Sequence, residues 1–415
     1  MNHEILKQVI KDQLEVIKET QIVERKDYVF EENANYVLVG LRRSGKSTLL
    51  YKRVKDLLAK GVEESQIIYI TFEDERLLEF NVNDFNDILE VKSELTQKEA
   101  YYFFDEIQNI DGWEKFARRM ADSKKRVYIT GSNAKMLSSE MNAALGGRFV
   151  QMYVTPYSFR EYLLAKGIKE DFSTKTKGEI NKAYLEYENY GGLPETLLFV
   201  NKRDYLKGVY QKIVLNDIIL HNKIRQEQAI KLMAKKLAET TKDEVSYTKL
   251  YNIINSIGIK ISKDTIIDYV GYFKDSNLIF ELKEYYSHFV DKESTPKYYF
   301  RDNGLLGLFL VDKEGILLEN LVATHLRRNN EELYYIKSSK TGIDIDFYIP
   351  QEKAIQVACE LNDDSYERET KSLVKFAKAN KDNVSLEIIT KGKTKEIEVD
   401  GIKIKVVNVI EFLCQ

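Results

Sequence analysis

The sequence predicts an α/β chain in three parts: a parallel sheet wound with helices, a helical module closed by a short strand, and a second α/β domain. Three observations predict this. Short apolar strands alternate with helical stretches through "YVLVGLRRSGKSTLL", "SQIIYITFEDERL" and "EAYYFFDEIQ". The pattern turns helical after residue 215, and strands mix with helices again from "TPKYYFRDNGLLGLFL" onward. The expected domains are residues 1–215, 216–285 and 286–415.

The chain has 415 residues, 43% hydrophobic and 31% charged, enough for several buried cores. Its net charge of −3 excludes a strongly basic nucleic-acid coat but leaves room for a local basic patch. Cys359 and Cys414 have no metal-type spacing and form no disulfide framework, so a reducing compartment is expected. The opening "MNHEILKQVIKDQLEVIKET" is charged throughout and reads as an amphipathic helix rather than a signal peptide. No apolar run reaches membrane-spanning length. A cytoplasmic protein without a membrane partner is expected.

The strongest signal follows. A buried-type strand from Tyr36 to Val39 runs into Gly40-x-x-x-x-Gly45-Lys46-Ser47, and a helix with Leu49, Leu50, Val54, Leu57 and Leu58 on one stripe comes next. Strand, loop and helix are the context a phosphate-binding loop requires. Gly40, Arg42, Arg43, Ser44, Gly45, Lys46, Ser47 and Thr48 are the expected nucleotide-binding residues. The glycines let backbone N–H groups close around phosphates, and the helix N-terminus adds partial positive charge. Lys46 would reach the β- and γ-phosphates of ATP, and Ser47 would coordinate Mg²⁺.

The strand Tyr101–Phe104 is aromatic on both faces and ends in Asp105-Glu106. Asp105 would hold Mg²⁺ through water, and Glu106 would orient and deprotonate the attacking water, a role worth roughly 10²–10⁴ in rate. "SQIIYITFEDERL" supplies an extra strand between the two motifs. "KKRVYITGSNAKML" is a fourth strand whose tip carries Ser132 and Asn133, either of which could contact the γ-phosphate or its water; an N-cap is the plain alternative. Arg148 enters the fifth strand. It reads as an arginine finger acting on a neighbouring subunit, or as a surface ion-pair residue.

Together "GLRRSGKSTLL", "ITFEDERL", "FFDEIQNIDGWEKFARR", "ITGSNAKML", "LGGRFVQMYVTPYSFREY", "YGGLPE", "KYYFRDNGLL", "GILLENLVATHLRR" and "GIDIDFYI" resemble a bacterial and archaeal family of AAA-type ATPases. Its members carry a C-terminal domain with a restriction-endonuclease-like fold. The resemblance implies an ATPase core with strand order 5-1-4-3-2, assembled into rings of identical subunits. "YGGLPE" falls where relatives place a second sensor, but it contains no arginine.

In the middle of the chain, Ser246 and Ser262 look like N-caps of two short helices, and "LIFELKEY" alternates like a wing strand. These predict a winged helix. Its second helix carries Lys263, Asp264, Asp268, Lys274 and Asp275, an almost neutral set that supports a packing or protein-binding role more than DNA readout.

The stretch "TGIDIDFYIPQEKAIQVACEL" reads like two strands of a metal-dependent nuclease core. Such a core needs carboxylate ligands and a lysine. Glu319 and Asp346 match two positions. Gln356 replaces a charged ligand with a neutral carbonyl oxygen, and Ala358 removes the lysine, leaving Lys371 as a migrated candidate. A degenerate nuclease-like site that does not cut is expected; capping and turn roles for Glu319 and Asp346 are the alternative. Two functions fit the whole: an ATP-driven motor or remodeller acting on DNA, and a regulatory ATPase switch whose terminal domains bind protein.

Overall fold

A computed structural model of the chain describes residues 1–133, 136, 138–169, 173–286, 295–311, 315–338, 340–380 and 384–415. Three positions of "ITGSNAKML", 134, 135 and 137, therefore lie outside the described residues. The chain forms two compact units, Met1–Thr155 with Asp275–Asn277, and Pro156–Lys274 with Leu278–Gln415.

The first unit is a five-stranded parallel sheet: β1 (Asn35–Val39), β2 (Ile67–Thr71), β3 (Tyr101–Asp105), β4 (Arg126–Gly131) and β5 (Phe149–Tyr153). The order β2-β3-β4-β1-β5 is the one the resemblance implied. Strands of a parallel sheet are covered on both faces, so they read as continuous apolar runs. Alternate residues serve the two faces. Val37, Ile68, Ile70, Tyr102, Phe104 and Ile129 enter one core, while Tyr36, Leu38, Tyr69, Phe103 and Tyr128 enter the other. The helix His3–Glu19 contributes Leu6, Val9 and Ile10 to the first core and Leu14 and Ile17 to the second. The loops leaving the carboxyl ends of β1, β3 and β4 carry the chemistry-bearing motifs, where open α/β sheets bind their ligands.

The second unit contains an eight-stranded mixed sheet in the order β12-β13-β11-β10-β9-β8-β6-β7. Its members are β6 (Ile279–Glu284), β7 (Lys297–Phe300), β8 (Tyr334–Ser338), β9 (Ile343–Ile349), β10 (Lys353–Val357), β11 (Ser385–Thr390), β12 (Lys395–Val399) and β13 (Ile402–Asn408). Two expected boundaries need correction. The strand read as a wing, β6, pairs antiparallel with β7 and parallel with β8, so a cut at 285 would divide one hydrogen-bonded sheet. A cut at 215 would fall inside the helical run that continues from Lys202–Lys212 through Ile213–Leu220. The helices Tyr247–Ser256 and Lys263–Asp275 are present, and Ser246 caps the first by accepting from the Lys249 N–H.

"YGGLPE" and "RDNGLL" fold onto one another. The Asp302 carboxylate accepts from the N–H groups of Gly192 at 2.8 Å, Gly304 at 2.9 Å and Leu305 at 3.2 Å. Gly191 sits at φ +74°, and a Cβ there would come within 2.2 Å of Asp302. These glycines are packing residues for a buried carboxylate, which explains the motif without a second sensor. Among the described residues no helix is long and apolar enough to cross a membrane.

Candidate active site

The loop after β1 is shaped by two glycines. A Cβ on Gly40 would meet the Val154 carbonyl oxygen at 2.0 Å, and Gly45 takes a left-handed backbone (φ +96°) that releases the chain into the helix Lys46–Ala59. Arg43 is also left-handed (φ +67°) and exposed. Arg42 is nearly buried and donates to Glu73 Oε1 at 3.0 Å. Thr48 is half-buried in the first helical turn. Arg25 clamps the loop from outside by donating to the carbonyls of Ser44 at 3.0 Å and Thr155 at 2.9 Å.

Lys46 is buried, and its ammonium donates to the loop carbonyls of Gly40 at 3.2 Å and Leu41 at 3.3 Å. It also lies 3.9 Å from Glu106 Oε1. Ser47 Oγ donates to Asp105 Oδ1 at 3.0 Å, and Thr130 Oγ1 donates to the same oxygen. Burial, then the Glu106 charge, push Asp105 up to about 6, against Thr130, Ser47 and Lys46. Glu106 stands at φ +52° with its N–H on Thr130 Oγ1 at 2.9 Å. Loop and strand ends thus bring Lys46, Ser47, Asp105 and Glu106 together.

The residues fit a phosphate and a divalent cation. Ser44 Oγ is buried without a hydrogen-bond partner among the described residues, inside the loop. Backbone N–H groups at the start of a helix with no side-chain cap favour an anion. Ser47 and Asp105 offer the paired oxygen donors that Mg²⁺ takes.

Asn133 is half-buried just past β4. Ser132 beside it is buried, and its carbonyl accepts from Asn277 Nδ2 at 3.0 Å. Arg148 is not drawn into this cluster. Its side chain is 61% exposed and pairs with Asp122 at 3.1 Å. The sequence reading missed Thr130, which links Asp105 to Glu106, and Gln108, which donates to Glu106 Oε2 at 2.5 Å. A hydroxyl at a strand end and an amide two residues past the acidic pair were the available signals.

The second unit holds another polar cluster. Glu319 lies near the start of the helix Ile316–Asn329 and Asp346 lies on β9. They are joined by Lys297, the first residue of β7, whose ammonium is buried 3.9 Å from Asp346 Oδ1. Tyr299 donates its hydroxyl to Glu319 Oε1 at 2.9 Å. Burial, then Asp346, push Glu319 up to about 8, against Lys297 and Tyr299; burial likewise raises Asp346. Burial alone would lower the Lys297 ammonium, but Asp346, Glu319, Asp344 and Glu244 outweigh it and hold it above its usual value.

Two expectations change here. Gln356 does not offer its carbonyl oxygen outward: Oε1 accepts from the Asp346 N–H at 2.9 Å and Nε2 donates to the Asp344 carbonyl at 2.7 Å. The backbone pairing of β9 with β10 runs from Lys353 to Ile355, and the Gln356 amide continues the bonding as a backbone unit would. A glutamate could not make the second bond. Lys371 is exposed and paired with Glu367 at 3.8 Å, so the lysine beside Asp346 is Lys297.

A family model described as an AAA domain matches residues 32–163, and one for a domain of unknown function matches residues 181–314. An uncharacterized protein of Methanocaldococcus jannaschii is 34% identical over 398 residues, covering 93% of this chain and 89% of that protein. Another, of Haemophilus influenzae, is 31% identical over 408 residues, covering 95% and 97%. Among solved structures, a Walker-type ATPase of Pyrococcus abyssi is 15% identical over 71% of this chain and 99% of its own, with a TM-score of 0.40, too slight a likeness to carry an argument.

Proposed function

We propose an activity for a chain that belongs to the same family as these archaeal and bacterial relatives and whose first unit is an AAA-type P-loop domain: it hydrolyses ATP with Mg²⁺. The observation that carries the reading is the convergence of Lys46, Ser47, Asp105 and Glu106 on one loop mouth. Lys46 would exchange the carbonyls of Gly40 and Leu41 for β- and γ-phosphate oxygens. Ser47 and Asp105 would hold Mg²⁺, which neutralises phosphate charge when bound. Glu106 would take a proton from water as the water oxygen bonds to the γ-phosphorus and the bond to the departing ADP oxygen breaks. Ser132 or Asn133 would steady the γ-phosphate. The test is phosphate release from Mg-ATP by the purified chain, with EDTA as control. No release above the EDTA control would remove the reading.

The larger role we infer is that of an oligomeric, cytoplasmic ATPase that acts on DNA as a motor or remodeller, with the second unit as a non-cleaving, nuclease-like grip. Glu319, Asp346 and Lys297 support it, because two carboxylates and a lysine meet there. The commitment of Gln356 to backbone argues against cutting. Purified protein with Mg²⁺ or Mn²⁺ should leave plasmid, linear and branched DNA intact; cleavage lost on Asp346→Ala would overturn that. DNA binding should be salt-sensitive and indifferent to sequence. The near-neutral helix Lys263–Asp275 favours the other reading, a switch that binds protein. Lack of DNA binding at low salt with an ATP analogue would select it. Arg148, exposed on the first unit, is our candidate for a residue supplied in trans. If subunits share sites, an Arg148→Ala and Lys46→Ala mixture regains activity that neither has alone.

A further inference from the structure

Gln108 stands in the stretch "FFDEIQNIDGWEKFARR" with no role assigned to it so far, yet its side chain holds the carboxylate of Glu106. The main chain of Glu106 is pinned by the bond from its N–H to Thr130 Oγ1 at 2.9 Å. That bond leaves the carboxylate itself free to rotate. Gln108 lies in the short turn Ile107–Asn109. Its Nε2 donates to Glu106 Oε2 at 2.5 Å and lies 3.4 Å from Ser132 Oγ. The remaining oxygen, Glu106 Oε1, faces Lys46 Nζ at 3.9 Å. One carboxylate oxygen is therefore occupied by Gln108, and the other is turned toward the phosphate loop.

The amide is held this way round at a cost. Gln108 Oε1 is buried and accepts no hydrogen bond from any described residue. It lies against Gly131, where a Cβ would approach it to 2.8 Å and the Met136 sulfur to 2.0 Å. An unpaired buried acceptor is unfavourable. Turning the amide over would set its oxygen against an ionised carboxylate, which accepts but does not donate. The Nε2–H toward Glu106 is thus the arrangement that the charge on Glu106 selects. Asn277 adds to the rigidity by fixing the Ser132 carbonyl at 3.0 Å.

We propose that Gln108 is a positioning residue for hydrolysis: it fixes Glu106 Oε2 so that Oε1 is the oxygen presented to the attacking water. The proposal rests on the ATPase reading above. In that step the water oxygen bonds to the γ-phosphorus, its proton passes to Glu106 Oε1, and the electron pair of the broken bond leaves on the ADP oxygen. A base must lie within hydrogen-bond reach of that proton, and a misplacement of about 1 Å can cost about 10² in rate.

The experiment measures kcat, KM and the affinity for a fluorescent ATP analogue in wild type and three variants. Gln108→Leu keeps bulk and loses the donor. Gln108→Glu keeps the shape and offers no amide N–H. Gln108→His keeps a ring N–H at similar reach. The Leu and Glu variants should lose roughly 10–100-fold in kcat, with KM and analogue affinity within about twofold of wild type, and the His variant should recover most of the loss. In a Glu106→Gln background, Gln108→Leu should change the residual rate by less than about twofold, because it acts through Glu106. Wild-type kcat in the Leu and Glu variants, or a full further loss in the Glu106→Gln background, would overturn the proposal. A wild-type chain without ATPase activity would instead remove the ATPase reading, and this inference with it.

Discussion

Around Lys46, the polar side chains answer to one loop and the strand ends beside it; around Lys297, the partners come from strands and a helix far apart in sequence. Lys46 finds Gly40 and Leu41 within six residues, and Ser47 meets Asp105 across adjacent loop mouths. Lys297 faces Asp346 and Glu319, neither within twenty residues of it. The first cluster leaves the Ser44 hydroxyl without a partner among the described residues and bonds its lysine to carbonyls a ligand can replace. The second sets its buried ammonium against Asp346, beside a Glu319 that burial raises to about 8. The first cluster keeps exchangeable bonds at a loop mouth; the second closes its buried charges on one another.

That contrast can be broken by substitution. Lys297→Met should be the most damaging change. It leaves Asp346 without its counter-charge, and removing one partner of a buried pair costs about 3–5 kcal/mol. Urea unfolding measures this. A loss under about 1 kcal/mol would mean that the ammonium does not hold the cluster together.

Lys46→Ala should reverse the pattern, with kcat/KM for ATP falling by about 10²–10³ while unfolding stability moves little. A large stability loss with catalysis preserved would merge the two clusters into one kind.

His325 offers a pH test confined to the second unit. Burial, then Arg328 and Lys353, lower it to about 4 from its usual 6.5. The folded value is depressed, so the unfolded chain binds the proton first. Its stability contribution is complete above pH 6.5 and is lost as pH falls toward 4, up to about 3 kcal/mol. His325→Phe, which keeps a ring against Phe412 at a present centroid separation of 4.7 Å, should flatten that part of the pH–stability curve. An unchanged slope would assign the loss to other groups.

The smallest effect belongs to Lys371→Ala. Its exposed pair with Glu367 should be worth under about 0.5 kcal/mol. A loss comparable to that of Lys297→Met would return Lys371 to the Asp346 cluster.

The same contrast explains what could be read from the sequence. The phosphate loop was legible because its residues are contiguous and its geometry is local: Gly40, Gly45 and Lys46 must stand at fixed spacing. The parallel sheet was legible because strands buried on both faces lack polar alternation. Lys297 was not, because nothing near "KYYF" tells which carboxylates lie across the sheet. Gln356 misled for a similar reason, since an amide in the place of a carboxylate looks like decay until the backbone groups of Asp344 and Asp346 are seen to need it. The boundary at 285 failed because alternation identifies a strand but not the sheet that strand joins.

The central claim is that Glu106 is the base of an ATP-hydrolysing site built on Lys46, Ser47 and Asp105. Its most direct test is paired: equilibrium binding of a fluorescent ATP analogue and steady-state phosphate release, for wild type and Glu106→Gln. The account predicts binding within about twofold of wild type and turnover reduced by about 10²–10⁴. Turnover at the wild-type rate in Glu106→Gln would contradict it.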